Sequence, residues 1–414
     1  MLAALAGQRI CIDIMAAQTG NPMRPLEGIT VVALEQAVAA PFCTRQLADL
    51  GARVIKIERP GVGDFARDYD QTVKGQSAYF VWLNRSKESL TLDVKHPQAK
   101  EILSKLIGGA DIFIQNLAPG AAARLGLAAD VLLKKHPRLI VCDLSGYGDT
   151  GPYAEKKAYD LLVQSEAGVL SVTGTPETQT KVGISIVDIS AGMYAYSGIL
   201  TALYQREKTG KGTRVEVTMF EALAEWMSHP LYYTHFSGKA PRRSGPDHAT
   251  IVPYGRFKCG DDAFVMLGIQ NEREWAKFCA GVLSRPELAK DPRYDNNTKR
   301  TAVRAEMVGL IEQIFAGMTA ADVVAKLDAA GIANARINTP EEVWEHPQLK
   351  ARKRWREVET PAGAIPALLP PVTMPDFEPR FDAVPAVGEH TDRVLAGLGF
   401  SIEEISALHD GGAV

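Results

Sequence analysis

Five short apolar runs, separated by helix-forming runs, fill the stretch from Gly28 to Leu144, and few folds accommodate that order. "ITVVALE" (29–35), "RVIKIE" (53–58), "SLTLDV" (89–94), "DIFIQN" (111–116) and "RLIVCDL" (138–144) have the length and β-branched content of strands. Between them, "APFCTRQLADLGA" reads as a helix stopped by Gly51. "HPQAKEILSKLIGGA" reads as another, with Pro97 in its first turn and Gly108 and Gly109 after its end. A further helical segment falls near 120–136. Strands apolar on both faces must be covered on both faces, which is the habit of parallel sheets. The alternation therefore predicts an α/β large domain, a parallel Rossmann-like sheet with helices on its faces.

The chain of 414 residues exceeds one ordinary domain. We divide it into an extension (1–22), a large domain (23–224), a smaller α+β domain (225–345) and a C-terminal strap that returns to the large domain (346–414). After residue 150 the pattern reads as a helix in "AYDLLVQSEAG", a long helix in "SAGMYAYSGILTALYQREKTG" ending at Gly210, and a strand in "TRVEVTM". The proline-rich segment 356–388 is expected to be extended rather than helical. The net charge of −3 argues against a general nucleic-acid binder. Five scattered cysteines without metal spacing are expected to be reduced thiols in a cytoplasmic protein. No run of about 18 apolar residues is found, so no membrane span is expected. The first residues lack the basic start and apolar core of a signal peptide, and Met23 opens a more ordinary beginning.

The motifs narrow the chemistry. "GVGDFA" (61–66) matches the spacing of a dinucleotide loop, but Asp64 would face a pyrophosphate with the wrong sign, so we read a tight turn. The P-loop, G-x-S-x-G and H-E-x-x-H patterns are absent. Basic residues cluster near turns: Lys56, Arg59, Arg67, Arg85, Lys87, Lys95 and Arg124. A solvated rim is their ordinary fate. The functional alternative is an anion site at the carboxyl ends of parallel strands. Arg59 directly follows a strand, and "NLAPGAAARLG" would bring Asn116, nearby amides and Arg124 to a nucleotide.

Two aspartates remain. Asp188, in "VGISIVDISAGMYAY", is read as closing an apolar strand and opening the long helix, where it or Ser190 is a cap. Asp160, in "KKAYDLL", is its rival. A helix start favours a negative charge and keeps a carboxylate ionised, and an ionised carboxylate can be a nucleophile. Ala191 and Gly192 would leave room for a ligand to approach the backbone. On local grounds alone the capping role outweighs the chemical one.

Longer motifs, in order, alter that balance. "AAPFCTRQLADLGARVIKIERPGVGDFAR", "LNRSKESLTLD", "NLAPGAAARLGL", "SGYGDTGPYAEKKAYDLLVQSEAG", "VDISAGMYAYSGILTALYQREKTGKGTRVEVTM" and "GEHTDRVLAGLGF" span about Pro25 to Leu408. On these the chain resembles the class III coenzyme A transferases, the family of formyl-CoA transferase and carnitine CoA-transferase. The resemblance implies that Asp188 is the catalytic aspartate, carrying first an acyl anhydride and then a CoA thioester. It implies CoA contacts at Ala39, Arg59, Leu92, Lys95, Asn116, Leu117, Arg124, Lys157 and Tyr159, with acyl-CoA as substrate and no permanent cofactor or metal. It also implies an interlocked homodimer, in which the strap takes part.

Two departures from formyl-CoA transferase stand out. Val38 replaces its glutamine, and "DHATIVPYG" replaces its glycine-only loop, which weakens formate and oxalate as substrates. "NEREWAKF", "GPDHATIVPYGRF" and "VDISAGMYAYSGI" look most like the branch acting on small dicarboxylates such as mesaconate and itaconate, often with succinyl-CoA as donor. Arg242, Arg243, His248 and Arg256 would then bind a distal carboxylate, or else are plain surface residues. The related racemases carry Gly-His-Asp where this chain has Ala158-Tyr159-Asp160, and tyrosine is a poor proton shuttle near neutral pH. Intermolecular CoA transfer to a C4–C5 dicarboxylate is thus the expected activity. Intramolecular transfer within mesaconyl-CoA, racemisation, and acyl-CoA binding without catalysis are the alternatives.

Overall fold

A computed structural model describes residues 23–414, so the extension 1–22 lies outside the described residues. β1 (Thr30–Leu34), α1 (Ala39–Asp49), β2 (Arg53–Glu58), α2 (Ala78–Leu83) and β3 (Lys87–Thr91) open the chain. α3 (Ala99–Gly108), β4 (Ile112–Gln115), α4 (Ala121–Arg124), α5 (Ala129–Lys135) and β5 (Ile140–Ser145) follow. Next come α6 (Asp160–Glu166), α7 (Val169–Val172), the long α8 (Ile186–Thr209), β6 (Arg214–Thr218), α9 (Met219–Trp226) and α10 (Ser228–Ser237). The six strands form one parallel sheet in the order β3-β2-β1-β4-β5-β6. The order reverses between β1 and β4, the place where such sheets open a crevice at their carboxyl ends.

Alternate strand residues supply two cores, as the two-residue period requires. Val31, Ala33, Val54, Ile112 and Cys142 pack with α1, α8 and α9 on one face. Val32, Leu34, Ile55, Phe113 and Val141 pack with α3, α5 and the C-terminal helices on the other. The expected strands and helices are therefore present, with shifts at their ends. β3 begins at Lys87 rather than Ser89, because Lys87 is buried in an ion pair that polarity alone disguises. Pro97 lies just ahead of α3, not in its first turn. The segment 120–136 splits into α4 and α5.

α8 organises the site. Val187, Ala191, Ala195, Ile199 and Ala202 form a buried stripe at helical spacing against α1 and the sheet. An 18-residue window of this 24-residue helix has a mean hydropathy of 1.3, which would also suit a membrane span by length and composition, a match made by only this helix among the described residues taken singly. Gly192 is where α8 meets α1: a Cβ there would lie 2.6 Å from the Ala39 carbonyl oxygen. The glycine thus serves helix contact, not ligand approach.

Beyond α10, β7 (Tyr254–Lys258), β8 (Phe264–Gly268) and β9 (Ala333–Arg336) form an antiparallel sheet. The helices Glu272–Gly281, Arg304–Phe315 and Ala320–Ala330 cover it around Trp275, Phe278, Phe315 and Leu327. The proline-rich segment holds no helix. It contains a hairpin of β10 (Trp355–Val358) and β11 (Ile365–Leu368), then runs extended past Asp49, whose carbonyl accepts from the Arg380 amide at 2.8 Å. The chain closes along β3, where the Thr91 amide donates to Thr391 Oγ1 at 3.0 Å.

Candidate active site

The crossover from β5 through α8 to β6 puts the amino end of α8 at the carboxyl edge of the sheet. The segment before it is not a strand: α8 begins at Ile186, and Asp188 lies in its first turn, half-buried. The cap is supplied by Asp160. Its Oδ2 accepts from the amides of Val187 at 2.8 Å and Asp188 at 3.3 Å, while Gln164 Nε2 donates to its Oδ1 at 2.6 Å. Ser190 is no cap either, since its hydroxyl donates to the Val187 carbonyl at 2.8 Å. Among the described residues no group hydrogen-bonds to the Asp188 carboxylate. The rival aspartate performs the structural duty of capping α8.

The expectation that the helix start keeps Asp188 ionised is reversed. Burial, and then the neighbouring Asp160 charge, push its pKa up to about 7. The amides that would have stabilised its charge are engaged by Asp160. A poorly solvated carboxylate with a pKa raised toward neutrality, at the carboxyl edge of a parallel sheet, makes Asp188 the candidate functional residue.

The β1–α1 loop lies beside it. Val38 and Ala39 are buried at 3% and 2% exposure, and Ala39 touches α8 one turn beyond Asp188. Tyr69, unmarked by the sequence reading, is drawn in as well. Its hydroxyl is pushed up to about 12 by burial, then by Asp64, Asp188, Tyr159 and Tyr79. No spacing or motif could have placed Tyr69 there; only the fold of the turn after β2 does.

Residues assigned by resemblance to CoA follow the carboxyl ends of the strands, on loops or, for Ala39 and Arg124, in α1 and α4, but they differ in what they have free. Arg59 is exposed and uses one N–H on the Gly63 carbonyl at 3.1 Å. Lys95, Arg124, Lys157 and Tyr159 are exposed, Tyr159 at 66%. The Leu92 side chain is buried at 1%, and its amide donates to the Glu58 carbonyl, so it belongs to the core. Leu117 is half-buried, with its amide on Gln115 Oε1. Asn116 is engaged on both sides: the Gln36 amide donates to its Oδ1 and its Nδ2 donates to the Gln36 carbonyl, both at 2.9 Å. Its side chain clamps the β1–α1 loop.

The basic cluster is not one anion site. Lys56, Arg85 and Lys87 are buried and Arg67 is half-buried, each paired with a carboxylate. Glu35 binds Lys87 at 2.7 Å and Thr44 at 2.6 Å, with Lys56 at 3.4 Å. Burial opposes the Glu35 charge, yet Lys87 and Lys56 hold its pKa below the usual value. Lys87, pressed by burial against the pull of Glu35, comes down to about 8. "GVGDFA" is a turn, as expected: Asp64 faces inward to Lys56 at 2.8 Å and accepts from the Ala66 amide at 2.9 Å.

Three of the four candidates for a distal carboxylate, Arg243, Arg256 and His248, fare less well. The Arg243 guanidinium donates to the carbonyls of Thr175 at 2.8 Å and Pro176 at 2.6 Å, with Ser171 at 3.5 Å. It pins the turn after α7 and has little left for a substrate. Arg256 lies on β7 over the Phe264 ring, 4.4 Å from its centroid. His248 Nδ1 accepts from the amides of Thr250 and Ile251, which leaves Nε2 as its free nitrogen.

A family model described as CoA-transferase family III matches residues 26–391. The chain belongs to CoA-transferase family III. Relatives of this chain span most of its length. A succinyl-CoA:glutarate CoA-transferase of Homo sapiens is 32% identical, with 91% of this chain and 86% of that protein aligned. An acetyl-CoA:oxalate CoA-transferase of Acetobacter aceti is 37% identical over 80% of this chain and 85% of that protein. Among solved structures, a CAIB/BAIF family protein from Brucella suis superposes with a TM-score of 0.80 at 33% identity, covering 91% of this chain and 99% of that one. The family accords with the mixed α/β fold and its six-stranded parallel sheet.

Proposed function

We propose that this family III member moves CoA from an acyl-CoA to a small carboxylate through covalent intermediates on Asp188. The observation that carries the reading is the division of labour at α8, where Asp160 takes the cap and leaves the Asp188 carboxylate unbonded. Asp188 attacks the donor thioester, giving an aspartyl–acyl anhydride and CoA thiolate. The thiolate attacks the aspartyl carbonyl, releasing the donor acid and leaving an aspartyl-CoA thioester. The acceptor carboxylate attacks that carbonyl and expels the thiolate, which then takes the acceptor acyl group and frees Asp188. The covalent route preserves thioester energy that water would discharge, so the site must stay dry.

A small dicarboxylate is the proposed acceptor, with succinyl-CoA as the first donor to try. The activities named for the human and Acetobacter relatives, glutarate and oxalate transfer, support a dicarboxylate without deciding its length. Arg243 and Arg256 do not strengthen the case, given their other contacts. A panel of acyl-CoAs against dicarboxylic and monocarboxylic acids, read by mass spectrometry, is expected to show transfer to C4–C5 diacids. Equal rates with monocarboxylates would refute the acceptor class. Exchange of an α-proton into deuterated water without acceptor would favour the racemase.

A pH profile follows from the raised Asp188 pKa. The nucleophile is the ionised form, so kcat/KM for the donor is expected to fall about tenfold per unit below pH 7, within the usual behaviour of one essential base. A flat profile from pH 5 to 8 would contradict it. The stability sign is the opposite of an ion-paired aspartate. The folded chain binds the proton more tightly than the unfolded chain, so this group costs stability as pH rises from about 4 to 7. Asp188→Asn is therefore expected to raise the melting temperature more at pH 8 than at pH 5.

We further propose a homodimer. α10 has no buried residue and exposes Leu231, Tyr232 and Phe236, the last at 79%. Light scattering at micromolar concentration would reveal a monomer if the reading is wrong.

A further inference from the structure

The loop Glu35–Val38 joins β1 to α1 where the sheet reverses its strand order. It is gripped from both sides. Asn116, after β4, holds Gln36 through the two 2.9 Å bonds described above. Asp64, after β2, accepts the Ala37 amide on Oδ1 at 3.1 Å. Between the grips Ala37 has φ 61°, a left-handed conformation that residues with a Cβ rarely adopt. Asp64 is itself anchored: it is fully buried, pairs with Lys56 Nζ at 2.8 Å, accepts from the Ala66 amide at 2.9 Å and donates its own amide to Glu58 Oε1 at 2.9 Å, while Lys56 Nζ also reaches the Glu35 carbonyl at 3.4 Å.

The shape of Ala37 governs what comes next in the chain. Val38 leads into the first turn of α1, and the Ala39 carbonyl lies against Gly192. Asp188 stands four residues earlier on α8, so it shares that face, one turn nearer the loop. A loop that relaxed to an ordinary φ would move the start of α1 relative to the Asp188 carboxylate.

We propose that Asp64 is a positioning residue for the transfer reaction: through the Ala37 amide it holds the β1–α1 loop in the one conformation that sets Val38 and Ala39 against the Asp188 end of α8. The inference rests on the reading of Asp188 above. Asp64 touches no reacting atom, and its buried pair with Lys56 supplies the rigidity. Alanine at position 37 needs this hold, whereas glycine adopts the same φ unaided.

That difference supplies the test. With the full chain and the best donor and acceptor of the panel, Asp64→Ala is expected to lower kcat about 100-fold, the scale of loss from a misplacement near 1 Å. The donor KM is expected to change less than kcat. Adding Ala37→Gly to Asp64→Ala is expected to recover about tenfold of kcat, since glycine restores the loop without the clamp. A purely structural aspartate predicts no recovery, because glycine only adds freedom to a damaged fold.

Should Asp64→Ala fail to fold, two neutral pairs replace it. Lys56→Met/Asp64→Asn keeps an acceptor for the Ala37 amide, and Lys56→Met/Asp64→Leu does not. The first is expected to turn over at least about tenfold faster than the second at matched melting temperatures. Equal kcat in the two pairs, or no gain from Ala37→Gly, overturns the inference while Asp188 remains the nucleophile. A wild type as inert as Asp188→Ala with every donor overturns the functional reading and this one with it.

Discussion

Asp188→Ala is expected to lose at least about 10⁴-fold in CoA transfer, the scale seen when a covalent nucleophile is removed. Asp188→Asn should lose as much, because an amide cannot attack the thioester and release it again. The variant should stay folded, since no hydrogen bond from the described residues depends on this carboxylate. Hydroxylamine added with acyl-CoA should mark residue 188 in the wild type and nothing in the variant. Asp160→Ala is the informative control. It removes the cap from the Val187 and Asp188 amides and, beside burial, the second cause of the raised Asp188 pKa, the Asp160 charge. Its loss should be smaller, and its pH profile should shift to lower pH. Near-normal turnover in Asp188→Ala would end the proposal.

Glu35→Ala is expected to destabilise the chain by about 3–5 kcal/mol, the cost of breaking a buried ion pair from one side. Lys87 would keep only Asn84 Oδ1 at 3.0 Å and the Pro41 carbonyl at 3.2 Å for a charge with no access to water. Lys56 would still have Asp64, so the damage centres on Lys87. Urea unfolding measures the loss, and Glu35→Ala/Lys87→Met should regain part of it, because the second change removes the stranded charge. A Glu35→Ala chain that unfolds at the wild-type midpoint would show that the pair contributes nothing. The prediction also separates two roles for basic residues. Lys56 and Lys87 hold the sheet edge together, while Arg59, Lys95 and Arg124 are exposed.

The parallel sheet was legible because its strands are apolar on both faces and its helices carry their stops. Burial of whole strands is a local, periodic property, and it survives in one dimension. Lys87 and Glu35 show where that legibility ends. Lys87 is a charged residue whose partner Glu35 lies far along the chain, so polarity placed it at the surface and tertiary pairing placed it inside. The Asn116 side chain was assigned to a nucleotide and instead grips Gln36, for the same reason.

Asp188 divides along the same line. Sequence motifs alone singled it out, and the family resemblance named its chemistry before any geometry was known. They could not say that Asp160, 28 residues earlier, takes the amides of the helix start. A cap is made by whichever acceptor reaches the first turn, and that is decided by how α6 packs on α8, not by which aspartate is nearer in the chain. The same packing buries Asp188 beside a second carboxylate and raises its pKa. The motifs singled out the residue proposed to react; the tertiary structure decided why its carboxylate is left unbonded and poorly solvated, with a pKa pushed up to about 7.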